Sequence, residues 1–202
     1  MEDSTSTLQP LPARYDDATL AGAFRDLHGT RLHGFAILVT LGDRQSAELA
    51  AGFALAAGAE QAAALRHPER AAAWLRARAL RNLHQRRSIR HKTPADARRA
   101  ALSTLGVDDA AYRGLAALTL DARAALGASA IERFDVIDIE TILDASPAAA
   151  RRAVAEALDR YVRYAATPPA DGDGPDDPPS GDLASRVRDV AARAFSPGDP
   201  AR

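Results

Sequence analysis

Apolar residues recur at three- and four-residue intervals along most of this chain, and short polar or proline-containing stretches separate the runs. Leu32, Phe35 and Val39 illustrate the spacing, which places their side chains on one face of a helix. Gly42 and Asp43 then supply a turn before the next run begins. The pattern predicts helices over residues 18–27, 30–41, 45–59, 71–82, 108–118, 121–131, 138–143 and 147–164.

The composition favours the same kind of structure. Alanine, which has the highest helix propensity, is abundant, whereas aromatic residues make up only 5% of the chain. Strands prefer β-branched and aromatic residues, so a β-sandwich or barrel is not expected. The predicted fold class is all-α, with two small helical domains over residues 18–90 and 108–166, a division that 202 residues allow.

A basic linker over residues 91–107 is predicted to join the two domains. It contains Thr93 followed by Pro94, and a residue that precedes proline is disfavoured in the helical region. Residues 1–17 are polar and acidic, and they are predicted to form a flexible N-terminus. The helical pattern is therefore confined to the two domains and to a short segment near the C-terminus.

The C-terminal part of the chain has two sections of different character. Residues 167–182 hold five prolines, five aspartates and no large apolar residue, so they are predicted to be a disordered acidic linker. Residues 183–202 follow, and there Leu183, Val187 and Val190 fall on one face of a short helix. This section is predicted to be a short amphipathic tail.

Several classes of function find no support in the residues. Without cysteine, the chain cannot form disulfides, thiolate metal sites or cysteine nucleophiles. The five histidines form no metal-binding pair, and no P-loop or nucleophile elbow is present, so neither an enzyme nor a cofactor or metal site is predicted. No apolar run spans a bilayer and no signal peptide is evident, so we expect a cytoplasmic protein without a membrane partner.

Positive charge is concentrated in one window, residues 76–100. This window holds nine basic residues and a single acid, whereas the whole chain has a net charge of −1. Such a cluster can neutralise several phosphates, so we interpret it as a candidate nucleic-acid surface, with a plain solvated face as the alternative. The basic residues of the window are Arg76, Arg78, Arg81, Arg86, Arg87, Arg90, Lys92, Arg98 and Arg99.

Residues 138–160 carry the strongest motif, a short helix and a tight turn followed by a longer helix that begins at Ser146-Pro147. Serine is a good N-cap, and proline is tolerated in the first helical turn. The order is typical of a helix-turn-helix, although a plain helical hairpin has the same pattern. In the helix-turn-helix interpretation, Ile139, Ile142 and Leu143 pack the first helix, Val154 and Leu158 hold the second, and Arg151 and Arg152 face DNA.

A family resemblance rests on several short segments taken in order. The N-terminal segments are Phe24-x-x-Leu27-His28-Gly29, Leu41-Gly42-Asp43-Arg44-x-x-Ala47-Glu48 and Ala73-Trp74-Leu75 followed by Arg81-Asn82-Leu83. The C-terminal segments are Leu118-Thr119-Leu120-Asp121-Ala122-Arg123, Asp138-Ile139, Leu143 with Ser146, and Ala157. Together they cover about residues 20–90 and 115–165, and they resemble a two-domain RNA polymerase sigma factor of the extracytoplasmic-function type.

The resemblance implies a division of labour between the two domains. Residues 18–90 correspond to sigma region 2, which binds core RNA polymerase and opens the promoter −10 element. Residues 108–166 correspond to region 4, which binds the −35 element of double-stranded promoter DNA, and an anti-sigma factor is a possible further partner. The expected polymerase contacts are Asp43 and Glu48, and the expected DNA contacts are Arg78, Arg81, Asn82, Arg86, Arg87, Ser146, Ala148, Ala149, Arg151 and Arg152.

The sequence departs from the family pattern at positions that concern both partners. Leu49 and Gly52 occupy positions where the family has polar residues that face polymerase. Ala148 and Ala149 replace polar or branched residues in the second helix, and alanine offers no hydrogen bond to a base. Two alternatives therefore stay open: a helix-turn-helix regulator that has lost polymerase binding, and a helical interaction protein that binds neither partner.

The C-terminal tail suggests a regulatory hypothesis. The aspartates of residues 167–182 could fold back on the basic window and screen it from DNA, while the apolar residues of the tail dock in a groove. The alternative is a tail that only improves solubility.

Overall fold

The computed structural model describes residues 17–61, 68–86, 93–103 and 107–166. Every regular element in these ranges is helical, so the prediction of an all-α fold is confirmed. The predicted flexible N-terminus, acidic linker and amphipathic tail lie outside the described residues, except for the first helical residue, Asp17. The helices are α1 (Asp17–Val39), α2 (Arg44–Gln61), α3 (Ala71–Gln85), α4 (Ala95–Ser103), α5 (Asp109–Ala116), α6 (Leu120–Leu126), α7 (Val136–Leu143) and α8 (Pro147–Ala165).

The prediction of two separate helices over residues 18–27 and 30–41 is wrong, because α1 runs through both without interruption. Gly29 lies inside α1, where a glycine costs about 1 kcal/mol relative to alanine. Unlike proline, glycine keeps its N–H donor, so the helix can continue if packing repays that cost. The buried side chains of Leu32 and Phe35 provide this packing.

The connection between α1 and α2 needs a glycine. Gly42 has a φ of +82°, and a Cβ atom there would lie 2.3 Å from the backbone oxygen of Arg98. The preceding Leu41 also adopts a positive φ of 55°. The turn that the sequence predicts at Gly42-Asp43 is therefore a close contact between this loop and α4.

The predicted basic linker over residues 91–107 contains helix α4, so it is not an unstructured connection throughout. Ala101 and Leu102 are buried in the apolar core, and this burial anchors the helix. The Thr93 hydroxyl donates a hydrogen bond to Asp43 Oδ1 over 3.4 Å, which ties the start of this segment to the α1–α2 turn.

Helices from both predicted domains contribute to one apolar core. Five helices each supply an almost fully buried aliphatic side chain. These are Leu32 from α1, Leu75 from α3, Leu102 from α4, Leu126 from α6 and Ile142 from α7. Helix α3 packs against α2 and α7, while α8 packs against α5, α6 and α7. The division into two domains stays a prediction, and α7 is the element that contacts both α3 and α8.

Arg123 connects the ends of two helices. Its Nε donates to the Val39 carbonyl at the end of α1 over 2.7 Å, and its Nη1 donates to the Leu118 carbonyl over 2.6 Å. Carbonyl groups at a helix C-terminus have no partner within the helix, so the guanidinium supplies the donors that they lack. The side chain thus holds α1 against the α5–α6 connection.

Candidate nucleic-acid interface

The interface begins with the turn between α7 and α8. Asp144 ends α7 in the left-handed conformation, with φ and ψ both 51°, and the Ala145 N–H donates to the Glu140 carbonyl over 3.1 Å. Ser146 then caps α8 by accepting a hydrogen bond from the Ala149 N–H, and Pro147 is the first residue of the helix. The predicted tight turn and the predicted serine cap are both confirmed.

Asp144 adopts a positive φ, a conformation that glycine adopts without steric cost. Aspartate is one of the few other residues that tolerate this conformation. The turn from α7 into α8 therefore needs no glycine.

The start of α8 presents polar and small side chains to solvent. Ser146, Ala148, Arg151 and Arg152 are exposed, and Ala149 is half-buried. Neither arginine forms an ion pair with another described residue. The first turn of a helix also carries partial positive charge from its unpaired N–H groups, so this end of α8 attracts anions.

The buried face of α8 differs from the prediction at one position. Ala157 and Tyr161 are buried there, and Val154 packs against the core as a partly buried residue. The expectation that Leu158 holds the helix from below is wrong, because 42% of its surface is exposed. The face is centred one residue away from Leu158, and the large Tyr161 ring fills the contact with α5 that Gly114 leaves open.

The basic window places its arginines in several different environments. The Arg78 guanidinium lies 4.9 Å from the centroid of the Trp74 ring and donates to Gln61 Oε1 over 3.3 Å, so this half-buried side chain is held in place. Arg81 is exposed on the same outward side of α3. Arg86 is half-buried at the C-cap position of this helix. A further predicted contact in the window, Arg87, lies outside the described residues, as do Arg90 and Lys92.

Arg76 is not part of the surface, and the prediction that it neutralises phosphate is wrong. Only 1% of its surface is exposed, and its Nε donates to Glu132 Oε1 over 2.8 Å. A second contact joins Nη2 to Glu132 Oε2, and Nη1 donates to the Ala72 carbonyl. The guanidinium also faces the rings of Phe35 and Phe134, at 5.6 and 5.0 Å from their centroids.

Burial dominates the titration of this pair. It lowers the pKa of the Arg76 guanidinium and raises the pKa of the Glu132 carboxyl, in each case against the opposing attraction of the partner. The sequence contained a signal for the burial of Arg76. Ala73, Arg76, Leu80 and Leu83 follow three- and four-residue spacing, so the arginine belongs to the apolar stripe of α3.

Two further predicted contacts are buried. Asn82 lies on the inward side of α3, and its Oδ1 has no hydrogen-bond partner among the described residues, so the expectation that it contacts DNA has to be corrected. Asp43 caps α2, because its carboxylate accepts from both the N–H and the hydroxyl of Ser46. The expected polymerase contact at Asp43 must therefore be corrected to an N-cap.

Helix α2 exposes an apolar surface beside Glu48, the second of the two expected polymerase contacts. Leu49 and Phe53 are 41% and 45% exposed one turn apart, and Glu48 is exposed beside them. Gly52 lies between them, and a Cβ atom there would have no neighbour within 4 Å. We call Leu49, Gly52 and Phe53 the α2 patch, an open apolar strip with an acidic neighbour.

Comparison of this chain with protein-family models, with curated proteins and with solved structures gives no match. No helix among the described residues is both long and apolar enough to cross a lipid bilayer. Within the same residues, no cluster of histidine and carboxylate side chains could hold a metal ion. The candidate site is therefore defined by its geometry alone.

Proposed function

We propose that this protein is a sigma-factor-like transcription initiation protein that binds core RNA polymerase and promoter DNA. The observation that carries the proposal is the α7–α8 pair, with its three-residue turn and the exposed, arginine-bearing start of α8. In helix-turn-helix proteins, the N-terminal residues of the second helix contact base edges in the major groove. The proposed role is binding, without chemistry of its own.

In this proposal, the start of α8 makes the duplex contacts. Arg151 and Arg152 donate to phosphates or to guanine edges, and the backbone N–H groups of the first turn add anion contacts. The Ala148 methyl group contacts thymine methyl groups and leaves base selection to the arginines. Arg81, on the outward side of α3, supplies a second positive group for the DNA backbone.

The α2 patch is the proposed apolar anchor of a larger contact with polymerase. An apolar strip with charged residues at its edge has the composition of a small protein interface, where apolar anchors provide affinity and the polar rim provides orientation. Glu48 supplies the polar rim in this proposal. Leu49 and Gly52 occupy positions where the family resemblance implies polar residues, and in this proposal Leu49 and the neighbouring Phe53 supply an apolar contact instead.

The test of DNA binding compares two arginine pairs on the same helix. Fluorescence anisotropy with a labelled duplex of about 30 base pairs measures affinity for the native chain and two double variants. Arg151→Gln/Arg152→Gln changes the start of α8, whereas Arg160→Gln/Arg163→Gln removes the same charge near its C-terminal end. Charged contacts to DNA are each worth about 1–3 kcal/mol, so the first variant should bind about tenfold or more weakly.

The control pair should change affinity by less than about threefold, because it alters only the long-range field of the helix. Affinity should also fall steeply with salt, since phosphate contacts release counterions. Equal losses of DNA affinity in the two variants would contradict the assignment of the start of α8 as the interface. Salt-independent binding, or none by the native chain, would remove the DNA-binding proposal altogether.

A second candidate function is a helix-turn-helix regulator that does not bind polymerase. The specific observation in its favour is that Asp43 is committed to capping α2 and is not available as a polymerase contact. This candidate retains the DNA contacts of α8 but gives the α2 patch no role in transcription initiation. Retained DNA binding by a chain that does not co-purify with core polymerase would favour it.

A further inference from the structure

Helix α8 carries an exposed apolar strip near the point where the chain leaves it. Ala155, Leu158 and Val162 follow three- and four-residue spacing, and Leu158 and Val162 are 42% and 41% exposed. We call these three residues the α8 strip. Val162 lies one turn before the end of the helix at Ala165.

The α8 strip is no larger than the α2 patch, and neither forms a stable interface with a separate protein on its own. Three side chains of this size offer on the order of 100–200 Å² of apolar surface, whereas a stable interface between separate chains buries about 1,200–2,000 Å² in total. A small strip can be covered by a segment of its own chain, because a short connection gives that segment an effective concentration in the millimolar range. The covalent connection therefore favours an occupant within the same chain.

We infer that residues 183–195 of the C-terminal tail bind the α8 strip. These residues lie outside the described ranges, and in sequence their apolar side chains repeat at the helical spacing that matches such a strip. The sixteen residues of 167–182 connect α8 with the tail and can span about 50 Å when extended. Helix α8 is only about 28 Å long, so the tail can return along its whole length.

Charge complementarity concerns the connection, because the tail itself, residues 183–195, carries three arginines and one aspartate. Residues 167–182 contain five aspartates and no basic residue. The exposed surface of α8 carries four arginines against two acids, Glu156 and Asp159, and Asp159 is already paired with Arg163. An acidic connection that runs back beside α8 therefore meets opposite charge. The arginines are Arg151, Arg152, Arg160 and Arg163.

Another exposed apolar surface, the α2 patch, suits the tail less well. Its exposed acidic neighbours on α2, Glu48 and Glu60, would repel the aspartates of the connection but attract the arginines of the tail, so charge alone does not separate the two surfaces. The α2 patch lacks the sequence proximity to residues 167–182 that α8 has. Docking on α8 depends on neither DNA nor polymerase, so it can be tested independently of the proposed function.

Single cysteines can report this docking because the native chain contains none. Val162→Cys places a thiol in the α8 strip, Glu156→Cys places one on a different side of the same helix, and Phe53→Cys places one in the α2 patch. Each variant is prepared with the native tail and with a tail that carries Val187→Asp and Val190→Asp. The rate of reaction with uncharged N-ethylmaleimide is measured for the full-length chains, with circular dichroism to verify equal helix content.

With the native tail, the thiol at position 162 should react about fivefold more slowly than with the charged tail, the ratio expected if the tail is docked about 80% of the time. The thiols at positions 156 and 53 should react equally with both tails. Each comparison uses the same cysteine in the same surroundings, so its intrinsic reactivity cancels.

Equal rates at position 162 would overturn the inference, and so would protection that appears at position 53. Protection that grows with protein concentration would also overturn it, because it would identify a second copy of the chain as the occupant. A Leu183→Ser tail provides a milder second disruption and should give a rate between those of the native and charged tails.

Discussion

The buried ion pair between Arg76 and Glu132 offers a sharp test of how this fold is held together. It joins α3 to the segment that precedes α7, and so it links helices of the two predicted domains. Removing one member leaves a charged group in an apolar environment, and such losses cost about 3–5 kcal/mol. That is a large share of the total stability of a typical domain, about 5–15 kcal/mol.

The pKa shifts of both groups make a further prediction about the double variant. Burial raises the pKa of Glu132 and lowers that of Arg76, so desolvation outweighs the attraction between them. Replacing both by apolar residues removes this desolvation cost along with the attraction. Arg76→Met/Glu132→Leu should therefore retain the stability of the native chain within about 1 kcal/mol, because buried pairs can be exchanged for apolar residues at little cost.

Urea denaturation followed by circular dichroism measures all four members of this cycle. The exposed Arg163–Asp159 pair on α8 provides the control, since Arg163→Met should lose less than about 1 kcal/mol. The reasoning is refuted if Arg76→Met and Glu132→Leu each lower the free energy of unfolding by less than about 1 kcal/mol. It is also refuted if their losses simply add in the double variant, because interacting residues should not behave additively.

Three further predictions concern single residues and use the same denaturation measurement. Gly42→Ala should lower the free energy of unfolding by about 2 kcal/mol or more, because φ at this position is +82° and the new Cβ would meet the Arg98 backbone. An unchanged urea midpoint would contradict this contact. Asp144→Gly should leave the free energy of unfolding unchanged or raise it by up to about 1 kcal/mol, since glycine adopts the left-handed conformation freely. A clear loss of stability would contradict the assigned turn. Burial and the charges of Arg76 and Arg31 lower the pKa of His28 in the folded chain. Between this lowered pKa and the ordinary value of about 6.5, the unfolded chain therefore binds more protons than the folded chain. Stability should therefore fall as pH drops through about 6.5, and His28→Gln should reduce this dependence; an identical pH profile for the variant would refute the attribution.

The local signals of the sequence predicted the α7–α8 region well. Ser146 and Pro147 mark a helix start through one hydrogen bond and one fixed dihedral angle, and both depend only on neighbouring residues. The same applies to the turn at Gly42-Asp43. Where a residue and its immediate neighbours determine the backbone, the sequence was sufficient.

The errors occurred where distant packing decides the outcome. A continuous α1 through Gly29 depends on burial against other helices, and α4 forms where Leu102 reaches the core. Arg76 was assigned to DNA by its charge, although its position in the apolar stripe of α3 was visible in the spacing. Its partner, Glu132, lies 56 residues away, and no local pattern identifies that pairing.

The central claim is that this chain binds core RNA polymerase through the α2 patch, and a pull-down with purified bacterial core polymerase tests it most directly. The native chain is compared with Leu49→Glu/Phe53→Glu and with Leu27→Glu, a control at an exposed leucine of α1. We predict that the native chain and the Leu27→Glu variant are retained and that the α2 variant is lost. Retention of all three would contradict the assignment of the patch, and loss of all three would contradict the sigma-factor-like function itself.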